Sequence, residues 1–131
     1  MAITVTDEIE KKSLLIGYKW NINKRSLKAF AKKSGAGDGG GGYMAISFKE
    51  EFEDDPYMAV ELGIDINQFP DNQVLLNAAP PAAPVEENLY LNFDEFYAYL
   101  VEVVNERIAE TPSDKAEYEH LLSEVKTALG L

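Results

Sequence analysis

Residues 92–110, NFDEFYAYLVEVVNERIAE, decide the fold class because they carry the clearest amphipathic pattern in the chain. Asn92 can cap the free amide groups of a first helical turn. One stripe is acidic, with Asp94, Glu95, Glu102 and Glu106. The apolar residues recur every three or four positions: Phe93, Phe96, Tyr97, Leu100, Val103, Val104 and Ile108. This spacing predicts a long helix with one face in the core.

A second helix is predicted directly after it. Proline at position 112 fits the first helical position, and Thr111 with Asp114 has the spacing of a capping box. The inward positions are Leu121, Leu122, Val125 and Leu129. Gly130 then ends the helix. We expect the two helices to form an antiparallel pair on a sheet, with their acidic backs in solvent.

The middle of the chain predicts that sheet. Met44, Ile46 and Phe48 alternate within residues 43–52, YMAISFKEEF, as expected of a strand. Residues 57–64, YMAVELGI, alternate in the same way, and Asp55-Pro56 is typical turn chemistry, so an antiparallel hairpin is predicted. A third strand is expected at 72–77, NQVLLN, followed by a proline-rich connection at 78–88, AAPPAAPVEEN.

The amino-terminal third predicts two helices with a strand between them. Thr6, with acids after it, predicts the start of a short helix, whereas the alternation in 13–20, SLLIGYKW, favours a strand. A second helix is expected at 24–35, capped by Asn21 or Asn23 and ended by Gly35 in a left-handed conformation. The prediction is therefore one α+β domain over 1–131: N-terminal helices, a small central antiparallel sheet and two long C-terminal helices.

The glycine-rich stretch 35–42 contains the G-x-G-x-x-G spacing of dinucleotide-binding loops at Gly35, Gly37 and Gly40. Such loops follow a strand and open a helix, whose first amide groups bind the phosphate. Here the order is reversed, since a lysine-rich helix comes before the loop and a strand after it. We therefore interpret the stretch as a flexible connection and predict no cofactor.

Catalytic and metal sites are not predicted either. The chain has no cysteine, and its serines lie in no nucleophile-elbow context. The acidic stretch 49–57, KEEFEDDPY, lacks the regular order of a calcium loop. His120 has no second histidine at helical spacing, so a surface imidazole is expected.

Charge is distributed unevenly along a chain whose net charge is −11. Residues 1–49 hold nine Lys or Arg against four acids, and residues 50–131 hold three against nineteen. The acidic surface expected for residues 50–131 repels nucleic acid and attracts a basic protein. Aromatic residues beside the acids would add contact area.

The predicted partner-binding residues combine these two features. They are Glu50, Glu51, Glu53, Asp54, Asp55, Tyr57, Glu86, Glu87, Asp94 and Glu95. Tyr90, Tyr97 and Tyr99 lie among the second group of acids. An equally weighted alternative places Tyr97 in the core and leaves the other tyrosines without a binding role.

Two stretches carry a resemblance to a known class. Residues 42–77, GYMAISFKEEFEDDPYMAVELGIDINQFPDNQVLLN, and residues 92–110 resemble small bacterial immunity proteins that accompany contact-dependent growth inhibition toxins, particularly those opposing ribonuclease domains. The resemblance implies binding to a cognate toxin in the cytoplasm and protection of RNA by steric and electrostatic occlusion of the toxin. It implies a role rather than specific site residues.

Two other functions stay open. An acidic regulatory or scaffold protein would bind another basic partner, and a small hydrolase would use paired carboxylates in a cleft. We expect a monomer or weak dimer that contacts neither nucleic acid nor membrane. The acidic amino terminus is unlike a secretory signal, which predicts a protein that is not exported.

Overall fold

A mixed sheet lies at the centre of the fold in a computed structural model that describes residues 3–37, 44–62, 64–78 and 86–131. Within these ranges the sheet has the order β1-β5-β4-β3-β2. Its strands are β1 Ile3–Thr4, β2 Ala36–Gly37, β3 Met44–Phe48, β4 Gln73–Ala78 and β5 Glu87–Asn92. The four strands β2 to β5 pair antiparallel, and the short β1 adds a parallel edge to β5.

Helices cover both faces of the sheet. They are α1 Glu8–Tyr18, α2 Lys24–Phe30, α3 Lys49–Asp54, α4 Pro56–Leu62, α5 Phe93–Glu110 and α6 Lys115–Ala128. Short 3-10 turns at Lys19–Asn21, Ile66–Gln68 and Pro112–Asp114 join some of them. The predicted α+β class is confirmed, with N-terminal helices, a central antiparallel sheet and two long C-terminal helices.

The larger core lies between one face of the sheet and helices α1, α2, α5 and α6. Phe30 of α2 and Phe96 of α5 meet edge to face with ring centroids 5.2 Å apart, and both also contact Phe48 of β3. Burying each such side chain contributes roughly 1.5–3 kcal/mol to the stability of the folded state.

The inward positions predicted for α6 are all buried, and Gly130 has a left-handed φ of 73° where the helix ends.

A smaller core lies on the opposite face, under α3 and α4. Phe52, Ala59, Phe69 and Leu75 form it, and Tyr90 packs against them. Farther along this face the Asn77 amide donates to Asn88 Oδ1 at 2.6 Å, which satisfies two buried polar side chains. Strand β4 is therefore buried on both faces, which explains why Val74, Leu75 and Leu76 are apolar in succession.

The predicted strand at 13–20 is wrong, because this segment continues α1. Leu14 and Tyr18, four residues apart, are buried, whereas Ile16 between them is 63% exposed. The helical period therefore determines burial here, and the alternation was fortuitous. The cap is Asp7 instead of Thr6: its carboxylate accepts from the amide groups of Ile9 and Glu10.

The predicted hairpin is also wrong, because residues 49–54 and 56–62 are helices α3 and α4. Pro56 occupies the first position of α4, where proline needs no amide hydrogen bond. Strand β3 pairs instead with β4, which confirms the third predicted strand. Strand β5, absent from the prediction, completes the sheet beside β4. The flexible connection predicted at 35–42 is wrong in its described part, because Ala36 and Gly37 form β2 beside β3. Residues 38–43 and 79–85, also expected to form connections, lie outside the described residues.

Gly35 does not end α2 in a left-handed conformation. That conformation belongs to Lys33, with φ 54°, and Asn23 caps the start of α2 as predicted. Gly35 is required for a different reason: a Cβ at this position would lie 2.0 Å from the Ile46 carbonyl oxygen and 2.7 Å from Glu51 Oε1. The chain approaches β3 too closely there for any side chain.

We expect Gly35→Ala to lower the free energy of unfolding by about 2–3 kcal/mol, because the added methyl group must displace backbone. Gly130→Ala is the control, since its Cβ would meet nothing within 4 Å and only the left-handed φ opposes it. The control should cost about 1 kcal/mol. Urea denaturation of both variants measures the difference, and equal losses would contradict this role of Gly35.

Candidate protein-binding surface

The predicted acidic segment, residues 50–55, forms helix α3 and its connection to α4. Strand β3 ends at Phe48 and α3 begins at Lys49, so no loop separates the segment from the sheet. Phe52 points into the smaller core and anchors the helix. Glu53, Asp54 and Asp55 are exposed.

Glu50 and Glu51, the first two acids of the segment, are half-buried and contribute less to the open surface. The Glu51 carboxylate accepts a hydrogen bond from the Phe48 amide at 2.8 Å and so caps the start of α3. Glu50 is half-buried, and its Oε2 is buried with no hydrogen-bond partner among the described residues. The accessible charge of the segment therefore lies at Glu53, Asp54 and Asp55.

Helix α4 adds two exposed apolar side chains to these acids. Tyr57 is 71% exposed and Val60 is 75% exposed, while Ala59 between them is buried in the smaller core. Residues three apart lie on the same face of a helix, so Tyr57 and Val60 are neighbours. We name Glu53, Asp54, Asp55, Tyr57 and Val60 the α3–α4 surface.

The cation nearest to this surface in sequence, Lys49, pairs elsewhere. Its ammonium group lies 2.7 Å from Asp71 Oδ1. This hydrogen bond raises the pKa of Lys49 and lowers the pKa of Asp71. Within the ranges that the structure describes, Glu53 and Asp54 form no ion pair. The α3–α4 surface therefore keeps a negative charge.

The second predicted group of acids is divided by strand β5. Glu86 and Glu87 are half-buried at its beginning, and Asp94 and Glu95 are exposed in the first turn of α5, just after its end. The six residues of β5 span about 17 Å at roughly 3.4 Å per residue. The structure thus does not bring these four acids together.

Glu95 is also paired. Its carboxylate lies 2.9 Å from the Lys11 ammonium group, and this hydrogen bond lowers the pKa of Glu95 and raises the pKa of Lys11. The same pattern recurs farther along the molecule, where Lys19 binds Glu106 and Lys24 binds both Asp114 and Glu117. Lysines of the basic first half thus offset acids of α5 and α6.

Of the four tyrosines considered for contact, only Tyr57 is an exposed side chain. Tyr90 packs edge to face on Phe69, and burial raises its pKa. Tyr97 is half-buried against the larger core. Tyr99 is buried and its hydroxyl donates to the Leu15 carbonyl at 2.5 Å, so it is a core residue that the sequence reading did not place there.

Val60 is the surface residue that sequence reasoning missed, because the alternation of 57–64 assigned it to a buried strand face. A signal was available in the proline: Pro56 after Asp55 suits the first position of a helix as well as a turn. A helix starting there places Tyr57 and Val60 together.

The histidine and acids of the described ranges form no metal-binding cluster. His120 is an exposed helix residue, as predicted, with Nε2 2.6 Å from Glu124 Oε1. No group of three His, Asp or Glu side chains there could hold a metal ion. No helix in those ranges has both the length and the apolar character to cross a membrane.

Comparison of the chain with protein-family models, curated proteins and solved structures finds no match.

The two kinds of acid in the segment can be told apart by their effect on stability. Glu51→Ala removes the cap of the Phe48 amide and should lower the free energy of unfolding by about 1 kcal/mol. The matched variant Glu53→Ala removes an exposed carboxylate from the same helix and should change it by less than about 0.5 kcal/mol. Denaturant midpoints measure both, and a larger loss in Glu53→Ala would contradict the assignment.

Proposed function

We propose that this protein is an immunity-type inhibitor that neutralises a bacterial toxin domain, a ribonuclease, by covering its cationic active-site groove. One observation carries the proposal: the α3–α4 surface combines the exposed Tyr57 and Val60 of α4 with Glu53 and Asp54 of the preceding helix, which have no ion-pair partner among the described residues. The resemblance of residues 42–77 to immunity proteins covers this same segment.

Charge supports the choice of partner. A ribonuclease must present cations to the phosphates of its substrate, so carboxylates can occupy the same groove. Complementary charge also speeds encounter, which suits an inhibitor that must meet its toxin before RNA does. Exposed ion pairs are screened by salt, however, and contribute little binding free energy by themselves.

Tyr57 and Val60 supply the binding free energy that the exposed acids do not. Aromatic residues at the centre of an interface, surrounded by polar groups, provide most of the binding free energy in many complexes. Tyr57 and Val60 are exposed on one face of α4, and Glu53 and Asp54 end the preceding helix. The polar surroundings extend towards Asp71, which is exposed and joined to the start of α3 through Lys49.

The mechanism is occlusion. A standard interface buries about 800 Å² of each partner, more than two short helices offer, so α3 and α4 form its centre and neighbouring surface its rim. Bound in this way, the inhibitor excludes RNA from the groove without turning over a substrate.

The test uses the toxin domain encoded by the gene directly upstream, the position expected for a toxin and immunity pair. Glu53→Lys with Asp54→Lys should weaken binding at least about tenfold and reduce its dependence on salt, because two attractive charges become repulsive. Calorimetric titration at several salt concentrations and an RNA-cleavage assay measure the two effects. Glu119→Lys with Glu124→Lys, the same charge change on exposed positions of α6, should leave affinity nearly unchanged.

Tyr57→Ala is a separate prediction for the apolar half of the surface. It should weaken binding by about 2 kcal/mol without changing the salt dependence, because it removes contact area and no charge. The same titration measures it. Wild-type affinity in both the double variant and Tyr57→Ala would place the interface elsewhere, and a bound partner without nuclease activity would favour a regulatory role.

A further inference from the structure

Helices α1 and α5 lie side by side on the surface and run in the same direction. Lys11 binds Glu95 near one end, and Lys19 binds Glu106 near the other, at 2.9 Å and 3.0 Å. The contacts advance together along both helices, which fixes the parallel arrangement.

A groove runs between the outer sides of these two helices. It consists of two depressions of about 510 Å³ and 220 Å³ that share Ile16 and Lys19. Leu15, Tyr99 and Val103 contribute apolar surface to it. We name it the α1–α5 groove.

Ile16 is the most unusual residue of the groove, since it is 63% exposed although large and apolar. Leu15, Tyr99 and Val103 are its apolar neighbours in the lining, and the remaining lining residues are charged. An exposed apolar side chain surrounded by charged groups can form the apolar centre of an interface with a polar rim.

The two sides of the groove carry opposite charges. The α1 side has a net positive charge, with Lys11, Lys12 and Lys19 against Glu8. The α5 side has a net negative charge, with Glu102, Glu106 and Glu110 against Arg107. Such a surface is complementary in charge to a second copy of itself. The positive side of each copy must then face the negative side of the other.

The charge of the groove also balances. Its cationic residues are Lys11, Lys12, Lys19 and Arg107, and its anionic residues are Glu8, Glu102, Glu106 and Glu110. The whole chain has a net charge of −11, so two copies repel each other over most orientations. The α1–α5 groove has no net charge, so two copies that meet there do not repel each other through the groove residues.

We propose that a second copy of this chain docks on the α1–α5 groove about a two-fold axis parallel to the two helices. Such an axis keeps the helix direction and exchanges left with right, so α1 of each copy lies opposite α5 of the other. Lys12 then faces the glutamates of the second copy, whereas Lys19 stays paired with Glu106 of its own chain, and Ile16 meets the lining around Val103. The inference does not depend on the proposed function, because it concerns another face of the molecule.

The size of the face determines how tightly the copies bind. Helix α1 has 11 residues and is about 16 Å long, and two helices side by side are roughly 20 Å wide. The face is therefore about 330 Å² per copy, well below the roughly 800 Å² of a stable complex. The dimer is weak and forms as concentration rises.

Sedimentation velocity from about 10 µM to 1 mM tests the dimer, a range that brackets weak association. Wild type should move from monomer towards dimer. Ile16→Asp places a charge in the apolar centre and should weaken association at least about tenfold. Ile9→Asp is the matched control: Ile9 lies on the same helix and is 78% exposed, but is outside the groove, so its variant should associate like wild type.

A charge exchange tests the two-fold arrangement itself. Lys12→Glu alone and Glu102→Lys alone should each remain monomeric, because like charges face each other in either homodimer. An equal mixture should dimerise again, since both contacts between unlike chains join opposite charges. Neither Lys12 nor Glu102 forms an ion pair within the described part of the chain.

Three outcomes would overturn the proposal. Wild type that stays monomeric at 1 mM would assign the groove to a different protein. Equal weakening by Ile9→Asp and Ile16→Asp would place the contact on the outer side of α1 instead. Failure of the mixed variants to associate, with circular dichroism showing both folded, would exclude the parallel two-fold axis.

Discussion

Burial of strand β4 on both of its faces is the constraint on which the other parts of this fold depend. Five consecutive residues, Val74 to Ala78, are buried. Alternate side chains of a strand point to opposite faces, so such a run needs a layer of helices on each side. Helices α5 and α6 supply one layer with α1 and α2, and the short α3 and α4 supply the other. The α3–α4 surface thus lies on the outside of a layer that the central strand requires.

The same arrangement explains where charge is offset and where it is not. The basic helices of the first half pack on the layer that holds the acidic α5 and α6, and Lys11, Lys19 and Lys24 reach acids there. In the described part of the opposite layer, Lys49 is bound by Asp71. Glu53 and Asp54 of that layer therefore keep their charge without an ion pair among the described residues.

Sequence reasoning predicted the fold class and the two C-terminal helices because their apolar positions repeat over many residues. It failed in short segments whose apolar residues fit both the period of a strand and the period of a helix. Leu14, Ile16 and Tyr18 alternate as in a strand, yet helix α1 buries Leu14 and Tyr18 and leaves Ile16 exposed. Strand β5 was missed beside its proline-rich neighbour. The exposure of Asp54 and Tyr57 agrees with their place in the predicted binding surface, whose binding role stays a prediction. The capping role of Glu51 and the exposure of Val60 depend on helices that the alternation concealed.

Strand β3 passes into α3 without an intervening loop, and this continuity has a thermodynamic consequence. Phe52 packs α3 against Leu75 of the central strand, so the backbone that carries the outer surface is anchored before any partner arrives. A protein that docks there orders exposed side chains but need not order the backbone, which reduces the entropy lost on binding. Because the folded state alone holds this geometry, docking also shifts the folding equilibrium, and a complex resists unfolding more than the free chain does.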